Sequence, residues 1–392
     1  MKHKILSLNC NIENFICENS NEATYLPYDY IKYFYQKLKP YINNWIKNIH
    51  MPPYELEWQI SSQCNLRCVY CIGSRVSTSA DDTGLKDVFT EDNVIRVAHA
   101  IAKLEINNLR VSLVKFSGLR GDPLHNKIRR ATIKAMKALI ETQDQIDIAL
   151  FTNGQGLTKR DGLYEALRFA RYINISLDAG LQSYMQVKRP KDKRNNFTNV
   201  INNISEFINF CCKNNSETAV NLSFVIIPEN IRDISSVINI ARDCGANAIR
   251  FKCDIGEQFL LNDSQRDRAY EQIEKAISLF ATDKFVIHTT HSAEECKNKT
   301  YRLWKQQYPG KCYFYKFFST IASDGNIYLC DHNSLKGAYS PGNVLREPFN
   351  ELWEKISKGE FSTAHCYSKV CPPFANSSNF LLEFLWKHRK NI

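Results

Sequence analysis

The stretch Cys64-Asn65-Leu66-Arg67-Cys68-Val69-Tyr70-Cys71 places three cysteines on one short segment. In a chain with 14 cysteines among 392 residues, such a C-x-x-x-C-x-x-C triplet is expected by chance only about 0.02 times. Three thiolates can ligate one face of a metal centre, whereas a closed zinc site or a fully ligated iron–sulfur cubane requires four ligands. No Cys or His lies between Ile72 and Val97. The triplet therefore predicts a metal centre with an open coordination position.

The composition limits the class of protein. With 44% hydrophobic residues, 23% charged residues and a net charge of +10, most of the chain is expected to fold. We expect no membrane segment and no secretion signal, because no apolar run approaches the required length and the N-terminus is polar. Reduced thiols and a cytoplasmic location follow from this expectation. The positive charge is spread along the chain without an RNA-binding motif, so nucleic-acid binding is not expected.

Short β-rich runs alternate with helical patterns after the N-terminal 53 residues. They lie at residues 56–61, 109–116, 146–152, 172–177, 219–227 and 248–252. This alternation predicts an α/β fold, a partial (βα)6 TIM-like barrel with a small C-terminal α+β module. Ligands of such sheets bind at the carboxyl ends of the strands, so we expect the loops after the first four strands to meet at one mouth.

The chain divides into five predicted segments. They are an N-terminal extension (1–53), the barrel (54–257), a helical connector (258–307), a second cysteine module (308–376) and a helix-like tail (377–392). In the second module Asp324-Gly325 predicts a β-hairpin with a type I′ turn. Four cysteines surround it, enough for a closed iron–sulfur or zinc site. They are Cys312, Cys330, Cys366 and Cys371.

The first triplet resembles the motif of the radical S-adenosylmethionine (radical SAM) enzymes. Residues 116–124, 152–154 and 176–179 are similar to further motifs of that family, after its second, third and fourth strands. The resemblance implies that Cys64, Cys68 and Cys71 hold a [4Fe–4S] cluster whose open iron binds S-adenosylmethionine (SAM). It also implies an external one-electron reductant of the flavodoxin or ferredoxin type. The electron would cleave SAM to a 5′-deoxyadenosyl radical, which abstracts a hydrogen atom from substrate carbon.

The resemblance also suggests which other residues contact the cofactor. Tyr70 would lie against the adenine, and Asn153 would lie near the cofactor. The methionine group would contact the loop of Gly118, Gly121 and Asp122, where a backbone without Cβ allows close approach. Ser176 and Asp178, which strand alternation places on the same side, would bind the ribose and methionine parts. Arg250 is expected either to pair with a carboxylate of cofactor or substrate or to be a solvated strand end. The basic loop from Lys188 to Arg194 is expected to be solvated.

The second cysteine set resembles the twitch module, a shortened form of the SPASM extension. This implies one auxiliary [4Fe–4S] cluster, and with it an oxidation or cross-link in peptide (RiPP) maturation or natural-product biosynthesis. One alternative is a dehydrogenase or epimerase of a small sugar or aminocyclitol, in which Cys253 or Cys296 could donate a hydrogen atom. The alternative from another class is a non-catalytic zinc or iron–sulfur protein that binds nucleic acid, with affinity that falls steeply with salt. The substrate is thus expected to be a peptide or a small molecule.

Overall fold

The computed structural model describes residues 28–71, 73, 86–118, 121–254, 259–290, 311–331, 334, 339–359, 361, 371 and 373–390. Of the predicted site residues, Cys366 lies outside this set. The strands are β1 (Glu55–Gln59), β2 (Glu105–Ile106), β3 (Leu109–Arg110), β4 (Leu113–Ser117), β5 (Asp147–Thr152), β6 (Tyr172–Ser176), β7 (Ala219–Ile226), β8 (Ala248–Cys253), β9 (Val286–Thr289), β10 (Phe318–Ile321), β11 (Asn326–Tyr328) and β12 (Gly342–Asn343). The helices are α1 (Tyr28–Ile46), α2 (Glu91–Ala102), α3 (Arg129–Thr142), α4 (Leu163–Leu167), α5 (Tyr184–Lys188), α6 (Phe197–Lys213), α7 (Ile234–Asp243), α8 (Asp263–Phe280), α9 (Phe349–Lys358) and α10 (Pro373–His388).

One sheet organises the described residues. Its strand order is β12-β11-β10-β1-β4-β5-β6-β7-β8-β9, and every pair from β10 to β9 is parallel. The six predicted barrel strands are β1, β4, β5, β6, β7 and β8, so the α/β fold with a partial TIM-like barrel is confirmed. The sheet is wider than predicted, because β9 and β10 add parallel strands at its two sides.

The helices begin where the sequence supplies capping groups. Thr90 forms a capping box with Asn93 at the start of α2, where Glu91 and Asp92 also face the positive helix end. Asn262 forms a capping box with Gln265 at the start of α8, and Asn196 accepts the Asn199 N–H at the start of α6. These local signals explain why α2, α6 and α8 begin at Glu91, Phe197 and Asp263.

Apolar residues alternate along the barrel strands and face the surrounding helices. On β1 they are Leu56 and Trp58, and on β8 they are Ile249 and Phe251, all at most 1% exposed and part of one core cluster. The residues between them therefore lie on the opposite, concave face of the sheet. This face is rich in polar side chains, among them Glu57 and Lys252.

A second apolar cluster joins the two ends of the described chain. Trp45 of α1 packs edge-on against Tyr313 and Phe317 and in a tilted arrangement against Trp386 of α10. The predicted extension and tail thus pack together beside the hairpin module. Among the described residues, no helix is both long enough and apolar enough to cross a membrane.

The predicted hairpin forms, but its turn type differs from the prediction. Strand pairing ends at Ile321 and Ile327, and Ala322 donates its N–H to the carbonyl of Asn326 at 2.9 Å. Only Gly325 has a positive φ, of 78°, whereas Asp324 does not. A type I′ turn needs two positive φ values, so the prediction of that turn is wrong. The longer loop uses a single left-handed glycine before β11.

Candidate functional site

The loops that follow β1, β4, β5 and β6 meet at one mouth, as the sequence predicts. Asp122 donates its N–H to the Gln63 carbonyl at 2.8 Å, which ties the loop after β4 to the cysteine loop. The Asn153 amide donates to Asn65 Oδ1 at 2.8 Å from the loop after β5. Tyr70, beside the last cysteine, donates its hydroxyl to Asp178 Oδ2 at 2.5 Å. The carboxyl ends of four neighbouring parallel strands are therefore joined by direct hydrogen bonds.

Three cysteines that form no disulfide with any described residue line the cysteine loop, and each is partly exposed: Cys64, Cys68 and Cys71. Burial raises the pKa of Cys64 to about 12, with a smaller contribution from Asp122 and the other two thiols. The Leu66 N–H and the Asn153 amide point at Cys64 Sγ from 3.4 and 3.6 Å. Thiols that resist ionisation by themselves are deprotonated when a metal binds them. This set of thiol donors fits an iron–sulfur cluster that keeps one coordination position open.

A second segment holds the cysteine loop by its backbone. The N–H of Val69 donates to the Val187 carbonyl at 3.0 Å, and the N–H of Lys191 donates to the Asn65 carbonyl at 3.0 Å. Leu66 and Pro190 form an antiparallel bridge between these two bonds. The loop therefore has main-chain partners along much of its length that do not depend on a bound metal.

A buried ion pair lies directly behind this loop. The Lys188 ammonium donates to Asp178 Oδ2 at 2.8 Å, to the Tyr70 hydroxyl oxygen at 2.9 Å and to the Ser176 carbonyl at 2.7 Å. The Lys188 side chain is only 1% exposed, so the prediction of a solvated loop is wrong at this position. It is correct for the other basic residues of the loop: Arg189, Lys191, Lys193 and Arg194.

Asp178 does not continue strand β6. Its φ is +51°, and the N–H groups of Leu177 and Asp178 both approach the Ser223 carbonyl, at 3.1 and 3.3 Å. The left-handed residue follows directly after the regular strand, and the expectation that Ser176 and Asp178 lie on one side stays a prediction. Asp178 Oδ1 accepts the Val225 N–H at 2.8 Å. The carboxylate is thus engaged by protein groups on both oxygens.

The glycines of the loop after β4 are required for packing of backbone against backbone. A Cβ on Gly121 would lie 2.0 Å from the Ser61 carbonyl oxygen, and one on Gly118 would lie 2.2 Å from the Gly121 carbonyl oxygen. We expected close approach to a ligand; the close approach observed is between two protein segments. Asp122 fixes the same loop, since its carboxylate accepts the N–H groups of Asn153 at 2.7 Å and Leu124 at 2.8 Å.

A polar network on the concave face was missed by the sequence analysis. Lys115 pairs with Glu57 at 2.5 Å and with Glu55 at 3.1 Å. Glu57 also accepts hydrogen bonds from Ser117 at 2.5 Å and Gln59 at 3.2 Å. Alternating polar residues in the strands Glu55–Gln59 and Leu113–Ser117 were the signal that could have revealed it.

Arg250 lies on the same concave face. It stands in register with Ser223 of β7 and His288 of β9. Burial lowers the pKa of Arg250 from its usual value. Arg250 is partly buried, and both expectations for this residue stay predictions.

The second cysteine set is described in part. Cys312, Cys330 and Cys371 are partly exposed and form no disulfide within the described part of the chain. The Asn379 amide of α10 approaches Cys312 Sγ at 3.5 Å, while its Oδ1 accepts the Tyr313 N–H at 2.7 Å. Because Cys366 lies outside the described residues, the auxiliary centre stays a prediction.

Comparisons with known proteins point to one family for the barrel. The model of the Radical SAM superfamily matches residues 58–241. A GTP 3′,8-cyclase of Staphylococcus saprophyticus is 32% identical over 133 residues, 33% of this chain and 35% of that protein. One of Corynebacterium glutamicum is 34% identical over 127 residues, 32% of this chain and 30% of that protein. The chain thus spans about a third of the length of these curated relatives.

Solved structures support the fold over a longer part of the chain. The crystal structure of Streptococcus suis SuiB bound to precursor peptide SuiA superposes with a TM-score of 0.54 at 15% identity, covering 92% of this chain and 74% of SuiB. The structure of anSMEcpe with bound AdoMet gives a TM-score of 0.51 at 16% identity, covering 87% and 95%. At these identities the similarity shows the fold. The match of the Radical SAM superfamily model covers residues 58–241, slightly less than half of the chain.

Proposed function

We propose that this protein is a radical SAM enzyme whose cysteine loop holds a catalytic [4Fe–4S] cluster. The observation that carries the proposal is the junction of the cysteine loop with the loops after β4, β5 and β6, made by hydrogen bonds of Asp122, Asn153 and Tyr70. When bound, the cluster and SAM would supply an electron and a carbon-centred radical that removes a hydrogen atom from the substrate.

The chain's own residues would hold and orient these groups. Cys64, Cys68 and Cys71 would ligate the cluster, and the Asn153 amide would donate a hydrogen bond toward Cys64 Sγ. We propose that Asp178 acts as a positioning residue. Its carboxylate and the Lys188 ammonium fix the Tyr70 hydroxyl, which orients the ring for contact with the adenine. Ser176, Gly118 and Gly121 border the same mouth and are proposed as cofactor contacts.

We propose an oxidation or cross-link of a peptide as the outcome, with an external one-electron reductant as partner. Similarity in fold to SuiB, which was crystallised with a precursor peptide, supports the peptide. The orientation of Cys253 supports oxidation over epimerisation. Its Sγ lies 3.4 Å from the Tyr270 hydroxyl of α8, on the helix-covered side of β8. From there it does not face the concave surface, where a substrate radical would form. Cys296 lies outside the described residues.

The test is metal content and SAM cleavage after anaerobic reconstitution. We expect about eight irons per chain in the parent and about four in the Cys64→Ala/Cys68→Ala/Cys71→Ala variant. Formation of 5′-deoxyadenosine from SAM with dithionite should fall to background in the variant, since the open iron that binds SAM is lost. Iron is measured colorimetrically, and the nucleoside by liquid chromatography.

The matched control changes three cysteines that lack ligand spacing: Cys212→Ala/Cys244→Ala/Cys253→Ala. It should retain about eight irons and the parent's rate of deoxyadenosine formation. Zinc in place of iron in the parent, or no deoxyadenosine from either protein, would refute the enzyme and favour a metal-binding protein without turnover. An isomeric product with no loss of hydrogen would contradict the oxidation alone.

A further inference from the structure

The concave face of the sheet carries cations of two kinds. Lys115 and Lys188 are neutralised, the first by Glu55 and Glu57 and the second by Asp178. Arg250 and Lys252, on neighbouring concave positions of β8, form no ion pair with any described residue. The buried Nε of Arg250 also has no hydrogen-bond partner there. The face therefore presents two adjacent cations that the described protein does not compensate.

The surroundings of Arg250 and Lys252 make it energetically unfavourable for both side chains to carry a charge. The groups that act on Lys252 are Arg250, Asp178 and Lys115, and burial together with the Arg250 charge lowers the pKa of Lys252 to about 8. The ionisable groups that interact with Arg250 include Tyr172, His288 and Lys252. Two like charges removed from water destabilise each other. A bound anion relieves this cost, and a guanidinium with a free N–H binds carboxylate or phosphate oxygens well.

The position of the pair relates it to the cysteine mouth. Ser176, Ser223 and Arg250 stand in one register row on β6, β7 and β8. Neighbouring strands are about 4.8 Å apart, so Arg250 lies about 10 Å across the sheet from the end of β6. That strand end adjoins Tyr70 and Lys188. A molecule of moderate size could therefore reach both places from the concave face.

We propose that Arg250 and Lys252 form a subsite for an anionic group of the substrate, a carboxylate or a phosphate. The proposal rests on the proposed function, because it places the substrate on the concave face of the barrel. It assigns Arg250 to the substrate, although a carboxylate of the cofactor could present the same chemistry. The experiment separates these two sources.

The test follows the reactivity of Lys252 in the reconstituted protein. At pH 8 a partly deprotonated lysine reacts with an N-hydroxysuccinimide ester, and peptide mass mapping quantifies the modification at low conversion. Saturating inorganic phosphate should slow modification of Lys252 at least tenfold and leave Lys193 unaffected. Acetate is the second probe. Protection by both anions supports a carboxylate subsite, and protection by phosphate alone supports a phosphate subsite. If neither anion protects Lys252, the proposal is wrong.

Two further experiments test whether Arg250 contributes to the subsite and whether substrate or cofactor binds there. Arg250→Gln should weaken phosphate protection at least tenfold, whereas the exposed pair Lys193→Gln/Arg194→Gln should leave it unchanged. Adding SAM should not displace phosphate; displacement would assign Arg250 to the cofactor and overturn the proposal. Deoxyadenosine formation is measured on the same parent preparation. If the protein forms deoxyadenosine but neither anion protects Lys252, the anion subsite alone is wrong. If an anion protects Lys252 but no deoxyadenosine forms, the radical function alone is wrong.

Discussion

Replacing Lys188 with methionine is expected to lower the free energy of unfolding by about 3–5 kcal/mol, because it leaves the Asp178 carboxylate buried without its cation. The lysine is 1% exposed and donates three hydrogen bonds behind the cysteine loop. Urea unfolding followed by tryptophan fluorescence measures the change. Deoxyadenosine formation should fall as well, since the Tyr70 hydroxyl loses a donor that helps to fix it.

Two variants show whether the loss of stability comes from the unpaired, buried charge of Asp178. Lys188→Met/Asp178→Asn should regain more than half of the lost stability, because no uncompensated charge stays buried. Lys193→Met removes an exposed lysine of the same loop and should change stability by less than about 0.5 kcal/mol. Equal effects of Lys188→Met and Lys193→Met would show that the ion pair is not buried.

The pH dependence of the pair has a defined sign. Burial alone would lower the pKa of Lys188, but the Asp178 charge outweighs it and the net direction is upward. A cation with a raised pKa in the folded state contributes its full stability below its unfolded pKa of about 10.4. This contribution to stability is lost only as the pH rises through the higher pKa that Lys188 has in the folded state. The difference between parent and Lys188→Met should therefore persist up to about pH 10 and decrease only above it.

Gly121→Ala is expected to cost about 3 kcal/mol and to abolish binding of the first cluster. The new Cβ would lie 2.0 Å from the Ser61 carbonyl oxygen and 2.7 Å from its carbon, main-chain atoms that cannot rotate away. The clash can be relieved only if the backbone of residues 61–63 moves. This segment leads directly into Cys64. Iron content should fall by about four per chain.

Gly245→Ala provides the matched control. Gly245 has a φ of +82°, but the nearest atom to an added Cβ is Ile208 Cγ2 at 3.5 Å. Alanine at this position introduces backbone strain but no steric clash. The substitution should therefore lower the free energy of unfolding by about 1 kcal/mol and leave the iron content unchanged. Full iron content in the Gly121→Ala protein would show that the two loops do not depend on this contact.

The barrel could be predicted because its signals are local. Alternating β-rich and helical patterns located the six central strands. The meeting of the loops at Asp122, Asn153 and Tyr70 followed from strand order. The parallel pairing of β10 with β1 joins residues far apart in the chain, so no local pattern indicated it.

The parts of the site that escaped prediction depend on tertiary contacts. Lys188 belongs to a run of basic residues and is buried only because the segment around it pairs with the cysteine loop. Asp178 has a left-handed backbone conformation, which no local pattern indicated. Lys252 is a basic residue in an ordinary strand. Its lack of an ion-pair partner among the described residues becomes visible only from the tertiary structure, in which the neighbouring charges are already paired or are themselves positive.

The place of β1 in the sheet has a consequence for biosynthesis. This strand leads into the cysteine loop, and it lies between β4 and β10, with Glu55 opposite both Leu113 and Phe318. During synthesis its second edge stays open until residues near Ile321 have left the ribosome. Contacts so distant in sequence form late and slowly. A chain that stops before β10 is therefore expected to leave the strand before the cysteine loop with one open edge.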